Sequence, residues 1–187
     1  MSWGTYQAKG PNVVEQYEIV QGVDGKDYLF FWDGFLSQWA ESNFNIGGII
    51  YNCAEQYMMA TKARHFGDEY MFKMIINTTN PSEQKRLGRK VKGFDKEEWD
   101  SMAQDVVLMG NLAKFNQNQN FKDKLLDTGN ATLVEASPYD SIWGIKMYID
   151  DPDILDPTKW KGTNWLGIVC GQVREEIRNE EGIGTEN

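Results

Sequence analysis

A single histidine and two cysteines are all that this chain of 187 residues offers for a zinc site or a thiol redox centre. Cys53 and Cys170 lie far apart and form no CxxC pair, and no HExxH run occurs. Neither a disulfide framework nor a zinc site is therefore legible, and a reducing compartment is the simpler expectation. His65 falls twelve residues after Cys53, in what reads as one helix. That separation is too long for a Cys–His nucleophile. No apolar run of about 18 residues occurs, so no membrane span is expected. The opening Met1-Ser2-Trp3-Gly4 has neither a basic leader segment nor an apolar one. A cytoplasmic protein without metal, cofactor or membrane contact is the expectation. Basic residues are also in deficit: 19 against 28 acidic ones, for a net charge of −9. This excludes nucleic-acid binding by bulk electrostatics, which needs a basic face. Repeats, linkers and low-complexity blocks are missing too, so one domain is expected.

Aromatic residues are abundant, at 13% with seven Trp. Some of those rings are expected to line a pocket or stack on a ligand. Turn and capping signals divide the chain. Asp24-Gly25 reads as a hairpin turn between strands at 13–20 and 26–32. Residues 36–44 read as a loop, and 47–51 as a strand. Helices are expected at 53–65, 69–77, from Asn80-Pro81-Ser82-Glu83, from Asp95 to about 115, at 119–126, and from Asn164 to 178. Residues 132–135 read as a strand, and 136–163 as a proline-containing loop. The fold class is mainly α (α+β), multihelical, with a small N-terminal β portion. Residues 1–29 form an extension with the hairpin strand, 30–178 the domain, and 179–187 a disordered acidic tail.

Within the helix at 53–65, Glu55 and Lys62 stand seven residues apart, with Met59 between them and Phe66 next on the same face. A carboxyl and an amine on a Met- and aromatic-rich face shift their proton affinities, which suits proton transfer or covalent chemistry. Two structural readings compete. Asn52 as N-cap would put Glu55 in a capping box, or Glu55 and Lys62 would form an ion pair. Cys53 at the helix start is where a thiolate would be favoured. Lys85, Arg86, Arg89, Lys90 and Lys92 form the densest basic cluster, either a solvated face or a phosphate contact.

Several motifs occur in one order: Phe35-Leu36-Ser37-Gln38-Trp39, Tyr51-Asn52-Cys53-Ala54-Glu55-Gln56-Tyr57, Lys62-Ala63-Arg64, Leu87-Gly88-Arg89-Lys90-Val91, Asn111-Leu112-Ala113-Lys114-Phe115, Leu133-Val134-Glu135-Ala136-Ser137-Pro138-Tyr139-Asp140-Ser141-Ile142-Trp143-Gly144 and Gly162-Thr163-Asn164-Trp165-Leu166-Gly167. Together they resemble the NADAR, or YbiA-like, family over residues 30–178. The resemblance implies a single α-rich domain that acts on N-glycosidic bonds to ribose. Its implied substrates are ADP-ribosylated guanine in DNA or RNA, or ribosylamino-pyrimidine intermediates of riboflavin synthesis. A third reading is a non-catalytic module that holds ADP-ribose or NAD. The chain departs from the family pattern at Ala40-Glu41-Ser42-Asn43-Phe44, where a Pro-containing segment is usual, and at Lys146, where Gly is usual.

Cleaving such a bond requires protonation of the leaving base, stabilisation or capture of the anomeric carbon, and an activated water. With the resemblance, Glu55 is expected as general acid/base. Lys62 is expected either as a Schiff-base amine or as a fixed cation. Asp140 is expected to orient ribose or stabilise positive charge, or simply to shape a turn. Trp32 and Trp143 are candidates for stacking on a base, and Trp99 leans to the core. Arg89 is a candidate for the pyrophosphate. Gly144, Gly162 and Asn164 are candidates for the loop and helix start that receive phosphate or ribose. The expected partner is an ADP-ribosylated nucleic acid or an ADP-ribose-containing small molecule.

Overall fold

Helix α1, Ala54–His65, is the axis of the molecule in this computed structural model, which describes residues 17–182. Nine of its twelve residues are buried. A helix can be buried on all sides only when other helices surround it. Here α2 (Glu69–Ile76), α3 (Pro81–Gly88) and α4 (Lys96–Gln117) pack around it. Each of the three has a side-chain cap. Asp68 accepts from Met71 N at 3.0 Å, Asn80 from Glu83 N at 3.2 Å, and Asp95 from Glu98 N at 2.9 Å. The last two are the start signals legible in the sequence, with Pro81 at N1 of α3. Helices α5 (Gln119–Asp127) and α6 (Trp165–Glu181) complete the set. Helix α6 runs past residue 178 and stops at Gly182 in the left-handed conformation. Residues 179–181, expected in a disordered tail, are therefore helical.

Strands β1 (Ile19–Gln21), β2 (Asp27–Phe31) and β5 (Thr132–Glu135) form one sheet in the order β1-β2-β5. The Asp24-Gly25 turn joins β1 to β2 antiparallel, as its sequence implied. The expected strand at 13–20 lies in part outside the described residues. Strand β5 pairs parallel to β2 after a crossover of about a hundred residues, with Phe31 opposite Glu135. Both faces of β2 are covered. Leu29 and Phe31 enter the helical core, and Tyr28 enters a smaller cluster with Val134, Ile145 and Met147.

A second hairpin pairs β3 (Phe44–Ile46) with β4 (Ile49–Tyr51). Its turn, Gly47-Gly48, has φ of 60° and 83°, the primed turn that two-residue hairpins favour. Residues 36–44 are expected as loop and the strand from 47, so β3 is not legible in the sequence. That strand is completed from afar: Asn45 N donates to Gln117 Oε1 and Asn45 O accepts from Gln117 Nε2, at 2.8 and 2.9 Å.

Residues 136–163 contain one short 3-10 turn, Pro157–Lys159, and otherwise fold by loop contacts. Ile145 N donates to Glu135 O, and Asn164 N to Gly144 O. The closest approach to a backbone atom is at Gly167, where an added Cβ would lie 2.0 Å from Leu133 O and 2.5 Å from Asn164 Oδ1. A backbone carbonyl cannot yield as a side-chain end can. Gly167→Ala is therefore expected to lose about 1–3 kcal/mol, read as a lower denaturant midpoint at unchanged slope. No helix among the described residues is long and apolar enough to cross a membrane.

Candidate active site

Three polar residues on α1 are buried, and they fall into two kinds. Gln56 is satisfied. Its Oε1 accepts from Asn52 N at 2.8 Å, and its Nε2 donates to the carbonyls of Ile75, Ile76 and Thr78 at 3.0–3.2 Å. It ties α1 to the α2–α3 connection and is structural. Glu55 and Lys62 are not satisfied in this way. Glu55 Oε2 accepts one long hydrogen bond from Trp39 Nε1 at 3.3 Å, and Oε1 is buried without a partner. Lys62 Nζ lies 4.0 Å from the centre of the Phe94 ring and 5.7 Å from that of Trp99. No ion pair involving Lys62 forms among the described residues. A buried polar atom left unpaired costs about 1–3 kcal/mol, so the orphaned Glu55 Oε1 calls for a reason other than stability.

The competing structural readings fail on this geometry. Cys53, not Asn52, is the N-cap of α1, and it makes no side-chain cap bond. Asn52 instead donates to Thr79 O and accepts from Gln84 Nε2. Glu55 is thus one position too early for a capping box, and its backbone N–H goes to Gln38 O at 2.9 Å. The expected thiolate at Cys53 is corrected too. Burial pushes its thiol up to about 11, and its Sγ lies 3.2 Å from Gln84 Oε1. His65 is engaged with Glu98 at 2.7 Å.

Burial raises the Glu55 carboxyl above the ordinary glutamate range, against the opposing pull of Lys85. Burial also lowers Lys62, with Arg89 adding to the drop and Glu55 opposing it. Both shifts move the pair toward its uncharged forms. Phe66, anticipated on this face, stacks edge-on against Phe94 and extends the aromatic wall beside Lys62.

A second acid arrives from the sheet. Glu135 is the last residue of β5, and its Oε2 is buried without a partner. Burial, then Asp140 and Glu55, push its carboxyl up to about 7. Sequence reasoning missed Glu135. Its signals were its place in the motif Leu133-Val134-Glu135-Ala136 and its position as a lone acid ending an apolar strand. Asp140 follows in the next loop. Its Oδ1 accepts from Ile142 N and Trp143 N at 2.9 and 2.8 Å, which shapes the turn, and its Oδ2 lies 3.9 Å from Lys85 Nζ. Lys85 stands out from the basic cluster: Arg86 pairs with Glu83, whereas Lys85 faces the acids. Arg89, at the C-cap of α3, is exposed and close enough to affect both Glu55 and Lys62.

The remaining candidates divide. Trp32 follows β2, is exposed, and tilts against Tyr139 with ring centres 6.3 Å apart, beside the acid loop. Trp143 is half-buried and meets Trp165 edge-on. Trp99 is core. An added Cβ on Gly144 would lie 2.9 Å from Glu135 O, and one on Gly162 2.2 Å from Gly144 O. These two glycines let the loop close onto β5. Asn164 occupies the N-cap position of α6 at φ 54° without a side-chain cap bond. Its Oδ1 accepts from Glu135 N and its Nδ2 donates to Leu133 O, both at 2.9 Å. It holds the end of β5, and therefore Glu135, in place. Lys146 has φ 54°, a left-handed conformation that glycine adopts without strain. The departure from the family's usual Gly thus falls on a backbone requirement.

The NADAR domain model matches residues 30–178, and the chain belongs to that family. It is 44% identical over 146 residues to the "N-glycosidase R617" of Acanthamoeba polyphaga mimivirus, covering 75% of this chain and 86% of that protein. It is 30% identical over 146 residues to the "N-glycosidase Npun_R5314" of Nostoc punctiforme, covering 78% and 86%. A "Riboflavin biosynthesis protein VVA0006" of Vibrio vulnificus is 26% identical over 145 residues, which is 78% of this chain but 36% of that protein. The NMR structure of the E. coli protein YbiA superposes with a TM-score of 0.71 at 24% identity, covering 91% of this chain and 94% of that one. That likeness establishes the single, mainly α YbiA-like fold.

Proposed function

We propose that this protein is an N-glycosidase that cleaves a base–ribose bond, and that its substrate is ADP-ribosylated guanine in nucleic acid. One observation carries the reading: Glu55 and Glu135, each with one buried carboxyl oxygen that has no partner, act electrostatically on each other and on Asp140 and Lys85, and Lys62 on the helix of Glu55 makes no ion pair among the described residues. Groups whose environments push proton affinities away from their ordinary values mark acid and base roles. The relatives that bear the name N-glycosidase support the same reaction class.

In this reading Glu55, whose proton affinity burial raises, gives its proton to the leaving base, which departs with the bonding electron pair. Lys62 bonds to the electron-poor anomeric carbon through its amine lone pair and gives a proton to a carboxylate; its nitrogen lone pair then expels the ring oxygen, which takes that proton, and a protonated Schiff base forms. The absence of a Glu55–Lys62 ion pair among the described residues supports the amine role over a cation that orients Glu55, and a cation that orients a substrate oxygen is the alternative. Water adds to the Schiff-base carbon with Glu135 taking its proton at a value matched to neutral pH; that proton passes to the amine nitrogen, the new hydroxyl gives its own proton to Glu135, and the neutral amine leaves as the aldehyde forms and the sugar ring recloses. Trp32 and Tyr139 offer exposed ring faces to a base, and Arg89 offers a guanidinium to a pyrophosphate.

The test is incubation with an oligonucleotide carrying ADP-ribosyl-guanine, read by gel shift and mass spectrometry. Restored guanine and released ADP-ribose are the expected result. A second reading, a ribosylamino-pyrimidine hydrolase, is favoured by the Vibrio relative. Steady turnover of that small molecule with none on the oligonucleotide would select it. Binding of ADP-ribose without product from either substrate would leave a nucleotide-binding module.

A further inference from the structure

Lys114 is fully buried in α4, 0% exposed, and no carboxylate pairs with it among the described residues. Its Nζ donates to Ser37 O at 2.9 Å, 77 residues away in sequence, and lies over the Phe115 and Phe121 rings. An ammonium is a poor choice for filling a core, because an apolar side chain of similar length is neutral or stabilising there. What Ser37 begins explains the choice. Trp39 N donates to Ser37 Oγ at 3.1 Å, Gln38 O accepts from Glu55 N at 2.9 Å, and Trp39 Nε1 supplies the hydrogen bond to the Glu55 carboxyl. The segment 37–39 is thus clamped from below by Lys114 and touches Glu55 through both backbone and side chain.

We infer that Lys114 is a positioning residue: it fixes segment 37–39 so that Trp39 holds and tunes the Glu55 carboxyl. The inference rests on the N-glycosidase reading of the same site. Groups that act on Glu55 are Trp39, Lys85, Arg89, Asp140 and, through their mutual effects, Lys62 and Glu135. Lys114 is faced by the thiols of Cys53 and Cys170, which burial keeps protonated, up to about 11 and about 12. Burial brings Lys114 itself down to about 8, so at neutral pH it still carries its proton.

The experiment titrates the Glu55 carboxyl by carbon-13 NMR, assigned through its loss in Glu55→Gln, in wild type, Lys114→Met and Trp39→Phe. Trp39 lies at the surface, so its variant leaves the core intact. The Trp39 hydrogen bond favours the carboxylate, so both variants are expected to move the Glu55 midpoint to higher pH. Both should also reduce kcat/KM on the cleaved substrate, with Lys114→Met losing about a hundredfold. The double variant is expected to be no worse than Lys114→Met alone. An unmoved midpoint in a folded Lys114→Met overturns the inference. So does failure of both Lys114→Met and Lys114→Arg to fold, which assigns Lys114 to stability alone. A moved midpoint in a protein that cleaves no N-riboside keeps the positioning role and removes the N-glycosidase reading.

Discussion

Lys62→Ala is expected to lower base release by at least about a thousandfold while leaving the fold intact, and Glu55→Gln by a similar factor. Neither side chain satisfies a fully buried partner, since Glu55 accepts only from the exposed Trp39, an acceptor that Gln keeps, and Lys62 rests on the Phe94 ring. Their removal therefore takes away chemistry without leaving a new orphan. Because acid and amine serve one bond cleavage, the double variant is expected to be scarcely slower than either single one. Borohydride reduction during turnover is expected to trap a ribosyl adduct, which peptide mass spectrometry places on Lys62. Wild-type rates in both single variants would dismiss the site. A rate loss in Lys62→Ala without any trapped adduct in wild type would make Lys62 a cation and not a nucleophile.

Glu135→Gln should cost about a hundredfold or more in turnover, as for a general base removed, and should also stabilise the protein at alkaline pH. The sign follows from the direction of the shift. The folded protein holds the Glu135 proton up to about 7, against 4.5 for an ordinary glutamate. A raised acid contributes stability that is fully present below its unfolded value and is lost as pH rises through the folded one. The wild type is thus expected to weaken between about pH 4.5 and pH 7, by about 3 kcal/mol from this group. Glutamine carries no proton to lose. The two proteins should melt together near pH 4, and near pH 8 the variant should melt roughly 5–10 °C higher. A melting difference that is independent of pH, or a variant that is weaker at pH 8, would contradict the buried-acid assignment. A gain in stability bought with activity is the pattern expected where a site keeps a charge its surroundings do not welcome.

Local chemistry was legible from the chain. Asn80-Pro81 and Asp95 announce α3 and α4 because a cap satisfies backbone donors within four residues, and Asp24-Gly25 announces its turn for the same local reason. Glu55 and Lys62 were legible together because a helix maps a seven-residue spacing onto one face. That one was an acid held almost without partners and the other an amine over an aromatic ring was not legible. Gln56, next to Glu55 in the same helix, looks no different in sequence and is wholly structural. Which of the two is satisfied depends on where the carbonyls at the end of α2 happen to lie. Glu135 and Lys85 joined the site only through tertiary structure. The parallel pairing of β2 with β5 brings the end of β5 to the acid loop, and α3 packs Lys85 over Asp140. Asn164 looked like a cap and serves as a brace for β5. Sequence alone determined the helices, their order and the acid–amine pair, because capping and periodicity act over a few residues. Desolvation and the meeting of three carboxyls were decided only by the packed fold, because they depend on groups up to eighty-five residues apart that approach one another only after the chain has closed.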